Sequence, residues 1–300
     1  MNSVCKSKFV AISSLFSFLA PVSFASMALL LSLSLMSTPA RAADHPSLLY
    51  ATYEAGAKLA AFSLEGKRIR VIGNTGYAFS ASLAFCPPGG VPYTITNLFD
   101  PTAAQLATLN LGTGRATLVG SPLGQALSIM GMTCSPDGDL LAVGQADTSN
   151  PDFNSLYAVD RETGLASRIG STGVLDPSDP SGFSGFFMAL AFAPDGTLYG
   201  VNTNSLFSID PSTGQATKVV DFVGVILVMG LAIDNDGNFY VSNFLPPPSY
   251  IYGVNVATGV ATPILNTGLA MVHNMAFKAP GRGASFSAFR DLRFVSGRRR

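Results

Sequence analysis

SLYAVDRETG at positions 155–164 returns as SLFSIDPSTG at 205–214 and as YIYGVNVATG at 250–259. QLATLNLGTG at 105–114 fits the same line, and KLAAFSLEG at 58–66 fits with one loop residue fewer. The closing glycines, Gly66, Gly114, Gly164, Gly214 and Gly259, are spaced 48, 50, 50 and 45 residues apart. A fixed period of roughly 20–50 residues marks a chain built from stacked copies of one supersecondary unit. Within each copy, residues such as Leu156, Ala158 and Asp160 alternate with Tyr157 and Val159, which suits a strand packed on both faces. Asp or Asn then opens a type I turn, and Gly closes it in the left-handed conformation. A second strand follows, at 166–170 or 216–220 for example.

A second hairpin recurs in phase with the first. GMTCSPDG at 131–138, LAFAPDG at 190–196 and LAIDNDG at 231–237 each run into a turn, and strands follow at 140–143, 197–201 and 238–241. LAFCPPGG at 83–90 is a degenerate copy. Each unit therefore reads as strand A, Asp-Gly turn, strand B, loop, strand C, Thr-Gly turn, strand D. Four antiparallel strands cannot bury both faces alone, whereas units stacked radially can. The first unit, from Leu48, lacks its strand A, and HNMAF at 273–277 is a strand A with nothing after it. Joining the two closes a ring and removes its free edges. The expectation is an all-β fold, a β-propeller of about five four-stranded blades closed by the C-terminal strand. A sixth blade from residues 282–300 is disfavoured, because that tail is short and basic.

Outside the repeats the ends read differently. Lys6 and Lys8 precede an apolar, Ser-rich stretch at 9–36, and Ala40-Arg41-Ala42 supplies the small-x-small pattern of a cleavage site. Residues 1–43 are read as a signal peptide cut after Ala42 or Ala43, 44–281 as the propeller and 282–300 as a basic, disordered tail. An uncleaved anchor and a start at Met27 are the alternatives. The most apolar later run, 223–233, is too short to span a bilayer, so no membrane span is expected after cleavage. The localisation implied is periplasmic or secreted. Although the whole chain is formally neutral, residues 44–281 hold nine basic and seventeen acidic side chains. An acidic body argues against nucleic acid as a partner, since phosphate contacts need a basic face. Cys86 and Cys134 lie just before the first hairpin of neighbouring repeats. They can pair in an oxidising compartment, but two separate buried thiols is the reading favoured here, and no spacing suggests a cysteine zinc site.

The LYxIDxxTGxAxxIG line resembles exported bacterial propeller-repeat families, and the LAFxPDGxLY segments resemble the NHL, YncE-like and, more distantly, gluconolactonase propellers. The chain has no Trp, which sets it apart from WD-repeat and quinoprotein propellers. The motifs describe the blade rather than an activity.

Strand order places the short A–B and C–D turns on one face of the disc and the long, dissimilar B–C and D–A loops on the other. Variable loops on a rigid scaffold are where binding sites concentrate, so the functional face is expected there, with the central funnel opening onto it. Asp137, Asp160, Asp195, Asp210 and Asp236 belong to turns. Asp147, Asp152, Asp176, Asp179, Asp221, Glu54 and Asp100 fall near the loop face. The candidate ligand-binding residues are Asp147, Asn202, Asn243, His273 and Asn274, and oxygen ligands of this kind suit a hard cation such as calcium. GFSGF at 182–186 is not a nucleophile elbow, and no phosphate loop or HExxH is present. The first functional reading is a non-catalytic module binding a small molecule, glycan or protein. The alternative is a metal-dependent lactone hydrolase of gluconolactonase type. That resemblance makes Asn274 its strand-A ligand and puts Asn202 or Asn243 where the family has an Asp. The family's Glu-Gly-Pro entry motif is missing, and Met275 rather than Gly follows Asn274.

Overall fold

The computed structural model describes residues 48–100, 102–124, 127–145, 154–174 and 185–278. Blade 1 is assembled from both ends of that span. Strand β20 (His273–Lys278) pairs antiparallel with β1 (Leu48–Tyr53), which continues into β2 (Lys58–Ser63) and β3 (Arg68–Asn74). Blade 2 is β4 (Ala81–Cys86), β5 (Val91–Thr96), β6 (Gln105–Leu109) and β7 (Ala116–Pro122). Blade 3 is β8 (Ser128–Cys134), β9 (Leu140–Gln145), β10 (Ser155–Val159) and β11 (Ala166–Ser171). Blade 4 is β12 (Ala189–Phe192), β13 (Leu198–Val201), β14 (Ser205–Ile209) and β15 (Ala216–Asp221). Blade 5 is β16 (Val228–Ile233), β17 (Phe239–Asn243), β18 (Tyr250–Val254) and β19 (Ala261–Asn266). The fold is a five-bladed β-propeller whose last strand closes the first blade. Strands β4, β8, β12, β16 and β20 neighbour one another around the axis.

The turns form as their residues dictate. Asp160 Oδ1 accepts the backbone N–H groups of Glu162 and Thr163 at 2.9 and 2.7 Å, while the Gly164 amide closes onto the Asp160 carbonyl at 2.9 Å. Gly164 sits at φ 76°, the left-handed region glycine adopts without penalty. Asn110, Asp210 and Asn255 repeat the arrangement in blades 2, 4 and 5. In the A–B turn of blade 5 the accepting carboxylate is that of Asp234, two residues before the Asp236 expected from the repeat.

Alternation sends each strand's side chains to two neighbours, so the core lies between blades. Leu190 and Leu198 of blade 4 pack with Leu141 and Val143 of blade 3. From the same strands, Ala189 and Val201 pack with Val228 and Leu231 of blade 5. Equivalent clusters fill the other three junctions. Strand twist accumulates across a blade at about 20–25° per pairing, which turns the outer strands toward the circumference. They consequently meet end to end. The first residue of one outer strand donates to a carbonyl just beyond the preceding one: Ala116 to Thr75, Ala166 to Leu123, Ala216 to Thr172 and Ala261 to Val223, at 2.8–3.1 Å.

Cys86 and Cys134, at the ends of β4 and β8, form a disulfide with Cα atoms 5.2 Å apart. This corrects the expectation of two separate thiols. Both cysteines end an inner strand, and inner strands converge at the axis, where neighbouring chain positions one repeat apart come within bridging distance.

Candidate functional site

The inner strands do not run straight into the funnel. Thr52 faces His273 and Ala51 faces Met275, leaving Asn274 as an extra residue at φ 50°. Ile129 and Gly131 face Gly144 and Val143, leaving Met130 unpaired, and Met229 is left out between Val228 and Gly230 in the same way. A shift in β4 between Ala81 and Ala84 places Ser82 at φ 69°. Such bulges re-aim a side chain out of the alternating pattern. Strand-B hydroxyls hold them: Thr94 Oγ1 donates to the carbonyls of Ala81 and Ser82 at 3.1 and 2.9 Å, and Thr52 Oγ1 to that of His273 at 3.4 Å.

The bulge residues Met130, Met229 and Asn274 line a cavity of about 370 Å³ at the axis. Its walls come from the starts of the A strands and the ends of the B strands, which places it on the B–C/D–A loop face. Met188 and His273 complete the inner ring, and Phe79, Phe99, Phe186 and Phe244 stand around the mouth. Phe79 and Phe99 meet edge to face, with centroids 4.8 Å apart, yet remain 46% and 70% exposed. Large apolar side chains left in water at a cavity mouth mark a surface that gains by being covered.

The polar equipment is sparse. Ser80, Ser128, Gln145, His273 and Asn274 contribute to the lining, and no Asp, Glu, Lys or Arg does so among the described residues. Ser80 Oγ and Gln145 Oε1 are buried without a hydrogen-bond partner, as is Ser82 Oγ. An unpartnered buried polar atom costs about 1–3 kcal/mol. Burial pushes the His273 imidazole down to about 4, so the ring is neutral throughout the physiological range. Its Nδ1 touches the Asn274 amide nitrogen and lies 3.4 Å from Thr52 Oγ1.

Of the five residues singled out by sequence, His273 and Asn274 meet at this cavity. Asn202, just after β13, and Asn243, the last residue of β17, are buried and are not among its lining residues. Asn202 Oδ1 accepts the amides of Asn204 and Ser205 at 3.0 and 2.7 Å, and Asn243 Oδ1 accepts that of Tyr250 at 2.6 Å. Asp147 lies outside the described residues, as do Asp152, Asp176 and Asp179. The other loop-face carboxylates have local partners: Glu54 pairs with Lys58 at 2.7 Å, Asp100 with the Thr102 hydroxyl at 2.6 Å, and Asp221 with Ser205 at 2.6 Å. Among the described residues no three His, Cys, Asp or Glu side chains converge. A hard divalent ion wants about six to eight oxygen ligands, and the described lining offers the Asn274 amide, the Gln145 amide and two hydroxyls.

Sequence reasoning singles out Phe186 and Phe244 as apolar contact points but passes over Met130, Met188, Met229, Gln145, Phe79 and Phe99. A signal was present. The three methionines each stand eight positions before the A–B turn glycine of their blade, Gly138, Gly196 and Gly237. An apolar residue at the start of a strand reads as core, and bulges redirect Met130 and Met229, while Met188 stands just before β12.

The fold and cavity together define a five-bladed propeller with an axial cavity. No protein-family model matches the chain, and no curated protein resembles it significantly in sequence. Solved structures match it by structural comparison at low identity. A chain of the nidogen/laminin complex is 12% identical, over 78% of this chain and 98% of that one, with a TM-score of 0.49. A symmetrical protein of de novo evolutionary emergence is 18% identical, over 78% and 100%, with a TM-score of 0.49. A gluconolactonase from Xanthomonas campestris is 18% identical, over 76% and 78%, with a TM-score of 0.44.

Proposed function

We propose that the chain is an exported, non-catalytic binding propeller whose ligand occupies the axial cavity on the B–C/D–A loop face. One observation carries the reading: the cavity is formed, apolar and rimmed by phenylalanines, of which Phe79 and Phe99 are exposed, with few polar side chains in its lining. That is the composition of a small-molecule site, in which apolar walls supply affinity and a few polar groups fix orientation. The leader-like segment supports export to the periplasm or beyond, and so does the Cys86–Cys134 disulfide, since such bonds persist in oxidising compartments. No helix among the described residues is long and apolar enough to cross a membrane.

The competing reading, a metal-dependent lactone hydrolase, has Asn274 at the cavity mouth in its favour. One experiment separates the two. The full chain is expressed in a bacterial host, recovered from the periplasm, treated with chelator and melted in the presence of calcium, manganese or zinc, with lactone hydrolysis followed in parallel. Binding without catalysis predicts no turnover with any ion and a mature N-terminus at Ala43 or Asp44. Ion-dependent turnover lost in Asn274→Ala overturns it in favour of the hydrolase, and a chain retaining its leader in the membrane fraction overturns export.

A further inference from the structure

The cavity's chemistry narrows what it can hold. Met130, Met188 and Met229 come from three successive blades, and thioether side chains are flexible, polarisable and well suited to the faces and edges of aromatic rings. The mouth phenylalanines offer the edge-to-face partners such rings prefer. No charged side chain among the described residues lines the site, and His273 stays neutral, so an ionic ligand would lose its hydration with nothing to replace it. Two buried polar atoms nevertheless point to a partner. Ser80, which is fully buried, and Gln145 Oε1 both lack a hydrogen bond while lining the cavity. A purely aliphatic occupant would leave them unmet. A volume of 370 Å³ lies at the small end of the range for ligand pockets, roughly 300–1,000 Å³.

Resting on the binding-module reading above, we infer that the cavity takes an uncharged aromatic molecule bearing a hydrogen-bond donor on one edge, such as a phenol. The ring lies among the three methionines, and the donor meets Gln145 Oε1 or Ser80 Oγ. A carboxylate on the same ring would meet no cation among the described lining residues, and a bare hydrocarbon is weakened by the unmet amide and hydroxyl.

Three matched probes test this on the exported full chain: 2-naphthol, naphthalene and 2-naphthoate. The chain contains no Trp, so naphthol fluorescence can be followed directly. The expected order is 2-naphthol tightest, naphthalene about tenfold weaker and 2-naphthoate without saturable binding, a tenfold step corresponding to about 1.4 kcal/mol. In Gln145→Leu the advantage of naphthol over naphthalene should shrink to about twofold or less, while naphthalene itself still binds, which shows that the site is intact. Met188→Gln should weaken both neutral probes together. Equal binding of naphthol and naphthalene, preference for naphthoate, or an unchanged preference in Gln145→Leu overturns the inference. Failure of all three probes overturns it too and leaves the binding module standing if a glycan or protein is captured instead. Ion-dependent lactone turnover removes the module as well.

Discussion

His273 is held where a charge has no counterpart. It is buried against Phe244, with ring centroids 6.1 Å apart, and its Nδ1 lies against Thr52 and Asn274. Desolvation lowers its folded-state value from 6.5 to about 4. The unfolded chain therefore takes up a proton below 6.5 that the folded chain refuses until about 4, so stability is complete above 6.5 and declines as the pH falls between those two values. Between pH 7 and 4.5 this one group should cost about 2–3 kcal/mol. Chemical denaturation of the native protein and of His273→Gln at both pH values measures it. Equal losses in the two proteins would show that the ring is not buried neutral. The turn carboxylates do not blur the comparison. Thr163 and Glu162 amides hold Asp160 below its ordinary value, and Thr197 and Ser212 do the same for Asp195 and Asp210. Stability from those groups is lost only as pH falls below the usual Asp range, and equally in both proteins.

At the scale of the element, the inner strands do two jobs. Their N-terminal ends bulge to build the cavity, and the far ends of β4 and β8 are tied by the Cys86–Cys134 bond. That bond spans 48 residues of chain, and by loop-closure entropy it should be worth about 4 kcal/mol. Reduction, or Cys86→Ala with Cys134→Ala, is expected to lower the melting temperature by about 10 °C while the fold survives, because four other junctions are intact. A shift below about 2 °C would place the bond's worth elsewhere. These strands also show where the sequence was legible. Thr-Gly and Asp-Gly turns are local chemistry, so strand order, blade number and the closing role of 273–277 could be read directly. The bulges could not, because they arise from pairing between strands, with Thr52 and Thr94 acting across the sheet on residues remote in sequence. For the same reason Asn202 and Asn243, which look like free loop amides, turn out to cap their own loops. His273 and Asn274 were found because they sit on the one strand whose isolation drew notice.

For the molecule as a whole, closure depends on a strand from the far end of the described chain. Leu48 and Lys278 lie opposite each other in the β1–β20 pair, and Met275 packs with Leu49 and Ile251 at the junction of blades 1 and 5. Ending the chain at residue 268 should expose the β1 edge, unpack that junction and abolish cooperative melting. Joining residue 278 to 48 by a short linker and opening the chain at 76–79, between β3 and β4, should restore it, with all four strands of blade 1 now continuous. If the permutant also melts without cooperativity, closure is not what the last strand supplies. The outer strands add a constraint of another kind. Because each hands its backbone hydrogen bonding on to the next at four of the five junctions, the rim is hooped like a cask. A rim tied at four junctions resists widening. The methionine and phenylalanine side chains that line the cavity, rather than the blades, are then what sets its width.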